Sequence, residues 1–331
     1  MKRGLVIGKF MPLHFGHIEL IQYAKNFCDE VVVLVCVEDN EPIGDIRFDW
    51  VSNYFKNRYD NKIKPILFKF NEKDLSTSSV ASQDISKAWS EAILKLNLGI
   101  DIIISSEEYG EYVAKYMNIE YQNYDIGRTK LNISATMIRE NPYKYWYDMP
   151  REVQPYFYKK ICIVGTESTG KTVLAKKIAD YFGGYYVGEM GRELTTSTYD
   201  CTYENLIKIA HEHAKLIKFS DNFKRKILIV DTDITITKSY SKFLFNKELL
   251  GYQKWVDDIN KFDLYIYLDN DVPYVQDGTR LSEIDRNKLN EYHKAEFEAA
   301  NIKYELISGN WNERFDKAIK LILKTLKEIF L

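Results

Sequence analysis

The sequence has 331 residues, 45% hydrophobic and 28% charged, with a formal net charge of −2. That length holds two domains of ordinary size, and the composition is that of a soluble globular chain. The near-neutral balance gives no argument for a nucleic-acid or anionic-membrane partner, though local basic clusters are compatible with it.

The chain enters a strand at once, over 5–8, without the apolar stretch of a signal peptide. An amphipathic helix over 16–27 follows, with Leu20, Ile21, Ala24 and Phe27 on one face. The unbroken apolar run 31–37 predicts a strand in a sheet covered on both faces, and is too short to span a bilayer. A strand over 64–70, a loop-like stretch over 76–82, a helix over 85–98 and a strand over 101–105 come next. The helix over 134–140 opens on Ser134, a good N-cap, and stops before Asn141-Pro142. The aromatic segment 143–158, carrying Pro150 and Pro155, reads as a connector between domains. The pattern then restarts: strand 160–164, helix 171–182, strand 185–187, long helix 204–223, strands 227–230, 264–268 and 304–307, and an amphipathic helix over 313–329. Strands alternating with helices predict parallel α/β folding twice over, in domains spanning 1–142 and 159–331. Cys28, Cys36, Cys162 and Cys201 form no C-x-x-C pair, which fits a reduced, cytoplasmic setting. A homo-oligomer is left open.

Gly8-Lys9-Phe10-Met11-Pro12-Leu13-His14-Phe15-Gly16-His17 sits at the first strand-to-helix turn. Gly16 lets the backbone approach a phosphate, the helix start offers free N–H groups and a positive dipole end, and two imidazoles can donate to oxygens on which charge builds. Lys9 adds a fixed charge. A chance grouping of loop residues is the plain alternative. A second segment, Ile133-Ser134-Ala135-Thr136-Met137-Ile138-Arg139, joins a helix start, two hydroxyls and an arginine; alone it could equally be an ordinary helix start.

Gly165-Thr166-Glu167-Ser168-Thr169-Gly170-Lys171-Thr172 matches G-x-x-x-x-G-K-[ST] in full, between a predicted strand and a predicted helix. In such a loop the amides of Gly165, Glu167, Ser168, Thr169 and Gly170 cradle phosphates, Lys171 bridges the β- and γ-phosphates, and Thr172 ligates Mg²⁺. Asp231 ends an apolar strand as a metal-side carboxylate would, with Asp233 two residues on. Glu189 and Arg192 follow the second strand of this half, and Asp277-Gly278-Thr279-Arg280 reads as a lid with Arg280 on the transferring phosphate. Each of these charges could instead be solvated surface. His211 and His213, two apart on one helix, read as packed or solvated rather than as metal ligands.

The two N-terminal segments resemble the nucleotidylyltransferase superfamily. The resemblance implies a Rossmann-like domain using Mg²⁺-ATP, with Gly8, Lys9, Phe10, His14, His17, Ser134, Thr136 and Arg139 around the triphosphate, Arg128 as a further contact, and Ser106 beside the adenosine. The second half resembles nucleoside kinases, in which a carboxylate placed like Glu189 accepts the proton of the attacking hydroxyl. The pair of motifs, with Ala88-Trp89-Ser90-Glu91-Ala92, Pro142-Tyr143-Lys144-Tyr145-Trp146 and Asp231-Thr232-Asp233, is similar to the NadR family, bifunctional nicotinamide-nucleotide adenylyltransferase and ribosylnicotinamide kinase. The resemblance covers nearly the whole chain. It implies that Mg²⁺-ATP, nicotinamide riboside and its mononucleotide (NMN) are the small-molecule partners, with Trp89 stacking on NMN and Glu189, Arg192, Asp233 and Tyr274 around the nucleoside. It also implies a departure: Gly188 and Tyr274 stand where relatives carry tryptophan. Some relatives begin with a helix-turn-helix domain; here the catalytic strand comes first, so DNA regulation is not expected. Three other readings stay open. The P-loop half could be a nucleotide-responsive regulator or a kinase for another nucleoside, or the first site could take a pantetheine-type acceptor.

Overall fold

The computed structural model describes residues 1–76, 83–127, 129, 131–224 and 226–327, with all their side chains except those of Arg192 and Lys327. Arg128 and residues 77–82 of the loop-like stretch lie outside the described residues. The chain divides into two compact units, Met1–Tyr156 and a second from Phe157 onward.

In the first unit, β1 (Arg3–Gly8), α1 (Phe15–Ala24), β2 (Glu30–Glu38), α2 (Gly44–Lys56), β3 (Ile63–Phe70), α3 (Gln83–Lys95), β4 (Ile102–Ser105), α4 (Tyr109–Met117), β5 (Glu120–Asn123) and α5 (Ala135–Glu140) follow in order. The five strands form one sheet in the order β3-β2-β1-β4-β5, every pair parallel. The run Val31–Val37 is buried along its whole length because helices cover both faces. Burial of each such side chain stabilises the fold by about 1.5–3 kcal/mol. Residues 143–156 belong to this unit, with Tyr143, Trp146, Met149 and Val153 buried in it.

α6 (Gln154–Phe157) leads into the second unit, which contains β6 (Lys159–Val164), α7 (Lys171–Phe182), β7 (Tyr185–Val187), α8 (Gly191–Leu194), α9 (Tyr203–Asp221), β8 (Ile227–Asp231), α10 (Ile234–Phe245), α11 (Trp255–Ile259), β9 (Leu264–Leu268), α12 (Glu283–Ala299), β10 (Glu305–Ile307) and α13 (Trp311–Lys327). Its sheet runs β10-β9-β6-β8-β7, again with every pair parallel. Both sheets therefore have the parallel α/β architecture that the sequence predicts. In each, the strand leading into a phosphate-type loop, β1 or β6, lies centrally at the point where the strand order reverses. Open α/β sheets bind ligands beyond the carboxyl ends of strands at such points. Among the described residues no helix is long and apolar enough to cross a membrane.

Candidate active sites

In the first unit, β1 ends at Gly8 and the chain turns through Lys9 and Phe10 into α1. Phe10 adopts a left-handed φ of 49°. Its ring is buried and meets the His17 ring edge-on at 5.1 Å, so it backs the site rather than facing it. His14 is the N-cap of α1 in extended conformation, its side chain making no cap bond, and its carbonyl accepts from the His17 and Ile18 N–H groups. The His14 and His17 rings stack at 3.7 Å. Gly16 is needed for closeness rather than for φ: a Cβ there would stand 3.0 Å from His14 Nδ1 and 3.3 Å from Ile133 Cγ2.

That Ile133 contact brings the two N-terminal motifs together. Arg139 Nη1 donates to the Met11 carbonyl at 2.5 Å and Nη2 to Thr136 Oγ1 at 3.0 Å. The Ser134 hydroxyl caps α5, accepting from the Met137 N–H at 3.2 Å. Ser106 is half-buried just past β4. Its neighbour Ser105 exchanges hydrogen bonds with the Glu107 backbone, which fixes that turn. Trp89 on α3 packs edge-on to Phe70 at 5.1 Å and donates from Nε1 to the Ser76 carbonyl at 2.9 Å. It stands beside the carboxyl end of β3, half-buried.

In the second unit the loop after β6 has the geometry its glycines impose. Gly165 has a φ of 138°, and a Cβ there would lie 2.6 Å from the Leu268 carbonyl oxygen. Gly170 has a φ of 83°, and a Cβ there would lie 2.2 Å from the Trp311 ring. Neither position admits a side chain. Lys171 Nζ and Thr169 Oγ1 both donate to the Thr166 carbonyl, at 2.9 and 2.8 Å. Parallel register sets Asp231 opposite Ile163, beside the loop. Asp231 is fully buried, its Oδ2 accepts from the Thr172 hydroxyl at 2.5 Å and from the Tyr186 hydroxyl at 3.4 Å, and its Oδ1 has no hydrogen-bond partner. Burial raises its pKa, Lys171 opposes the rise and the nearby Glu189 carboxylate adds to it. A buried carboxylate oxygen with no partner, next to a threonine hydroxyl, is a donor set that fits a hard divalent cation. Among the described residues no three His, Cys, Asp or Glu side chains converge on a metal position, so such an ion would depend on nucleotide oxygens and water for its remaining ligands.

Three of the expected site residues are tied by hydrogen bonds to their surroundings. Asp233, expected at the nucleoside, is fully buried and caps α10, accepting from Ile236 N–H, Thr235 Oγ1 and Tyr265 Oη. Burial pushes its pKa up to about 6, against those hydrogen bonds. Arg280, expected on the transferring phosphate, pairs with Asp277 at 3.0 Å and donates to the Val275 carbonyl within its own loop. Glu167 does not merely line the loop; its carboxylate accepts from Thr198, Tyr240 and Leu281. Tyr274 donates to the Leu281 carbonyl, and the buried guanidinium of Arg286 lies 5.3 Å from its ring centre. His213 is buried on α9, its pKa lowered to about 4 by burial against the opposing Gly188 backbone, so it is neutral near pH 7. His211 packs edge-on to Trp255 at 5.3 Å.

Sequence reasoning missed the supports of both loops. Arg47 on α2 is fully buried, pairs with Glu41, and donates to the Lys9 and Cys36 carbonyls. Arg314 on α13 is fully buried, pairs with Asp271, and donates to the Thr169, Asp269 and Gly309 carbonyls. Each loop is thus fastened by an arginine that occupies main-chain acceptors. The only signal for either was an arginine amid the apolar positions of a helix.

Residues 160–314 match a family model described as an AAA domain. The chain is 30% identical to the trifunctional NAD biosynthesis/regulator protein NadR of Escherichia coli (strain K12) and 31% identical to that of Salmonella typhimurium (strain LT2), over 98% of this chain and 83% of each relative. Two crystal structures of NadR protein, one in complex with NR and one with NAD and AMP-PNP, share its fold. Their TM-scores are 0.51 and 0.55 at 20% identity, covering 99% and 98% of this chain and 96% of each of theirs. With both loop motifs at the reversal points of parallel sheets and relatives of this identity matched over nearly its full length, the chain belongs to the NadR family of NAD-biosynthesis proteins.

Proposed function

We propose that the second unit phosphorylates nicotinamide riboside to NMN and that the first adenylylates NMN to NAD, releasing pyrophosphate, each step using Mg²⁺-ATP. The observation that carries this reading is the presence of two separate phosphate loops, each at the reversal point of its own parallel sheet, in a chain of this family. NadR structures with NR, NAD and AMP-PNP indicate the ligand classes.

In the second unit, Lys171 and the backbone amides of 165–170 hold the triphosphate. Mg²⁺, held by Thr172 and Asp231, would neutralise charge on the phosphate oxygens. Glu189 accepts the proton of the riboside hydroxyl as it attacks; the electrostatic effect of its carboxylate on Asp231 and Tyr186, raising the pKa of both, supports this role. In the first unit the attacking group is a phosphate already ionised at neutral pH, so no general base is required. His14, His17 and Arg139 supply positive or donor groups where charge develops on the α-phosphate and the leaving pyrophosphate. Lys9 adds charge, and Trp89 offers an aromatic face to the mononucleotide.

Incubation of the purified protein with ATP, Mg²⁺ and nicotinamide riboside, followed by chromatography, should yield NMN and then NAD. NAD from supplied NMN without any turnover of riboside would leave the P-loop unit a nucleotide-responsive regulator or a kinase for another nucleoside.

A further inference from the structure

Glu167 stands at the third position of the P-loop and joins three separate parts of the second unit. Its Oε1 accepts from Thr198 Oγ1 at 2.8 Å and from Tyr240 Oη at 3.1 Å, and its Oε2 accepts from the Leu281 N–H at 2.9 Å. Thr198 lies in the segment that follows α8, which itself follows Glu189, the residue read above as facing the acceptor. Leu281 ends the segment that carries Tyr274 and Arg280. These two segments are also bonded to each other, Thr198 N–H to the Thr279 carbonyl at 3.0 Å and Ser282 N–H to the Tyr199 hydroxyl at 2.9 Å. The P-loop itself reaches the second of them again, Ser168 Oγ accepting from the Val275 N–H at 2.9 Å.

The P-loop is the fixed member of this set, since Arg314 holds its Thr169 carbonyl and Thr166 bonds the Arg286 carbonyl. A carboxylate can accept from several donors at once, and bonds to an ionised acceptor are stronger than neutral ones. The acceptor-side segment and the segment over the loop therefore share one anchor, and neither can shift without disturbing the other's bond to it. We infer that Glu167 is a positioning residue that makes nucleotide binding and acceptor binding cooperative. The inference rests on the kinase reading above for its choice of acceptor.

The test measures the affinity of the intact protein for a non-hydrolysable ATP analogue with and without saturating nicotinamide riboside, alongside riboside phosphorylation. Coupling between sites is typically about 5- to 150-fold, and the wild type should show a factor in that range. Alanine removes the acceptor from all three donors at once, so Glu167→Ala should bring the factor to within about twofold of unity. Thr198→Val removes one bond at a loop position and should give an intermediate factor; it carries the test if Glu167→Ala does not fold. A purely structural role would lower both affinities in proportion and leave the ratio unchanged. Either variant retaining the wild-type factor overturns the inference, as does a wild type that phosphorylates riboside with no coupling. A wild type that neither binds nor phosphorylates riboside instead removes the kinase reading on which the choice of acceptor rests.

Discussion

Replacing Asp233 by asparagine separates a helix cap from a substrate ligand. In the structure this carboxyl is fully buried beneath α10 with three hydrogen-bond donors, and burial raises its pKa from 3.8 to about 6. The folded state therefore holds the proton more tightly than the unfolded chain does. Below about pH 4 both states carry it and the contribution to stability is complete; as pH rises through about 6 the contribution is lost. A shift of this size corresponds to about 3 kcal/mol in all, of which about 2 kcal/mol falls between about pH 4.5 and about pH 7.5. Asparagine keeps the cap oxygen and carries no charge, so it removes this dependence. In urea unfolding followed by tryptophan emission across that interval, Asp233→Asn should gain on the wild type by about 2 kcal/mol as pH rises. Its KM for nicotinamide riboside should change by less than about threefold. A stability difference that does not vary with pH, or a KM raised tenfold or more, would refute the reasoning and return Asp233 to the nucleoside.

Arg47→Ala leaves Glu41 without its partner and frees the Lys9 and Cys36 carbonyls; it should destabilise the first unit by about 3–5 kcal/mol in denaturant melts. Gly170→Ala places a Cβ against the Trp311 ring at a positive φ, so riboside phosphorylation should be lost while adenylylation of supplied NMN continues. Glu189→Gln should slow phosphorylation by about 100- to 10,000-fold with little change in ATP affinity. Asp231→Asn should instead shift the dependence on Mg²⁺. A Mg²⁺ titration of riboside kinase rates for both variants assigns the two roles.

The sequence was most legible where chemistry and periodicity coincide. The run Val31–Val37 and the helix after Lys171 lie where their patterns put them, and Ser134 caps the helix it was expected to cap. β5 escaped notice because Glu120–Asn123 is a polar edge strand with no buried face to impose alternation. α10 escaped because Ile234-Thr235-Ile236-Thr237 is β-branched and reads as strand; tertiary packing and the Asp233 cap override that propensity. The loop motifs named residues that lie together in space, but not what each side chain does there. Asp233 and Arg280 carry the right charge at plausible positions, yet Asp233 is held by the start of α10 and by Tyr265, and Arg280 by its own segment. Arg47 and Arg314 act through main-chain carbonyls, which leave no trace in a residue pattern.

The central claim, two independent sites acting in series, is tested most directly by mixing two disabled variants. Lys171→Ala should make no NMN from riboside, and His17→Ala should form NAD from NMN about 100- to 1,000-fold more slowly. Neither alone should convert riboside to NAD at an appreciable rate. An equal mixture of the two, supplied with ATP, Mg²⁺ and nicotinamide riboside, should restore NAD formation, because NMN released by one variant is the substrate of the other. A folded mixture that makes no NAD, or a single variant that completes the sequence unaided, would contradict it.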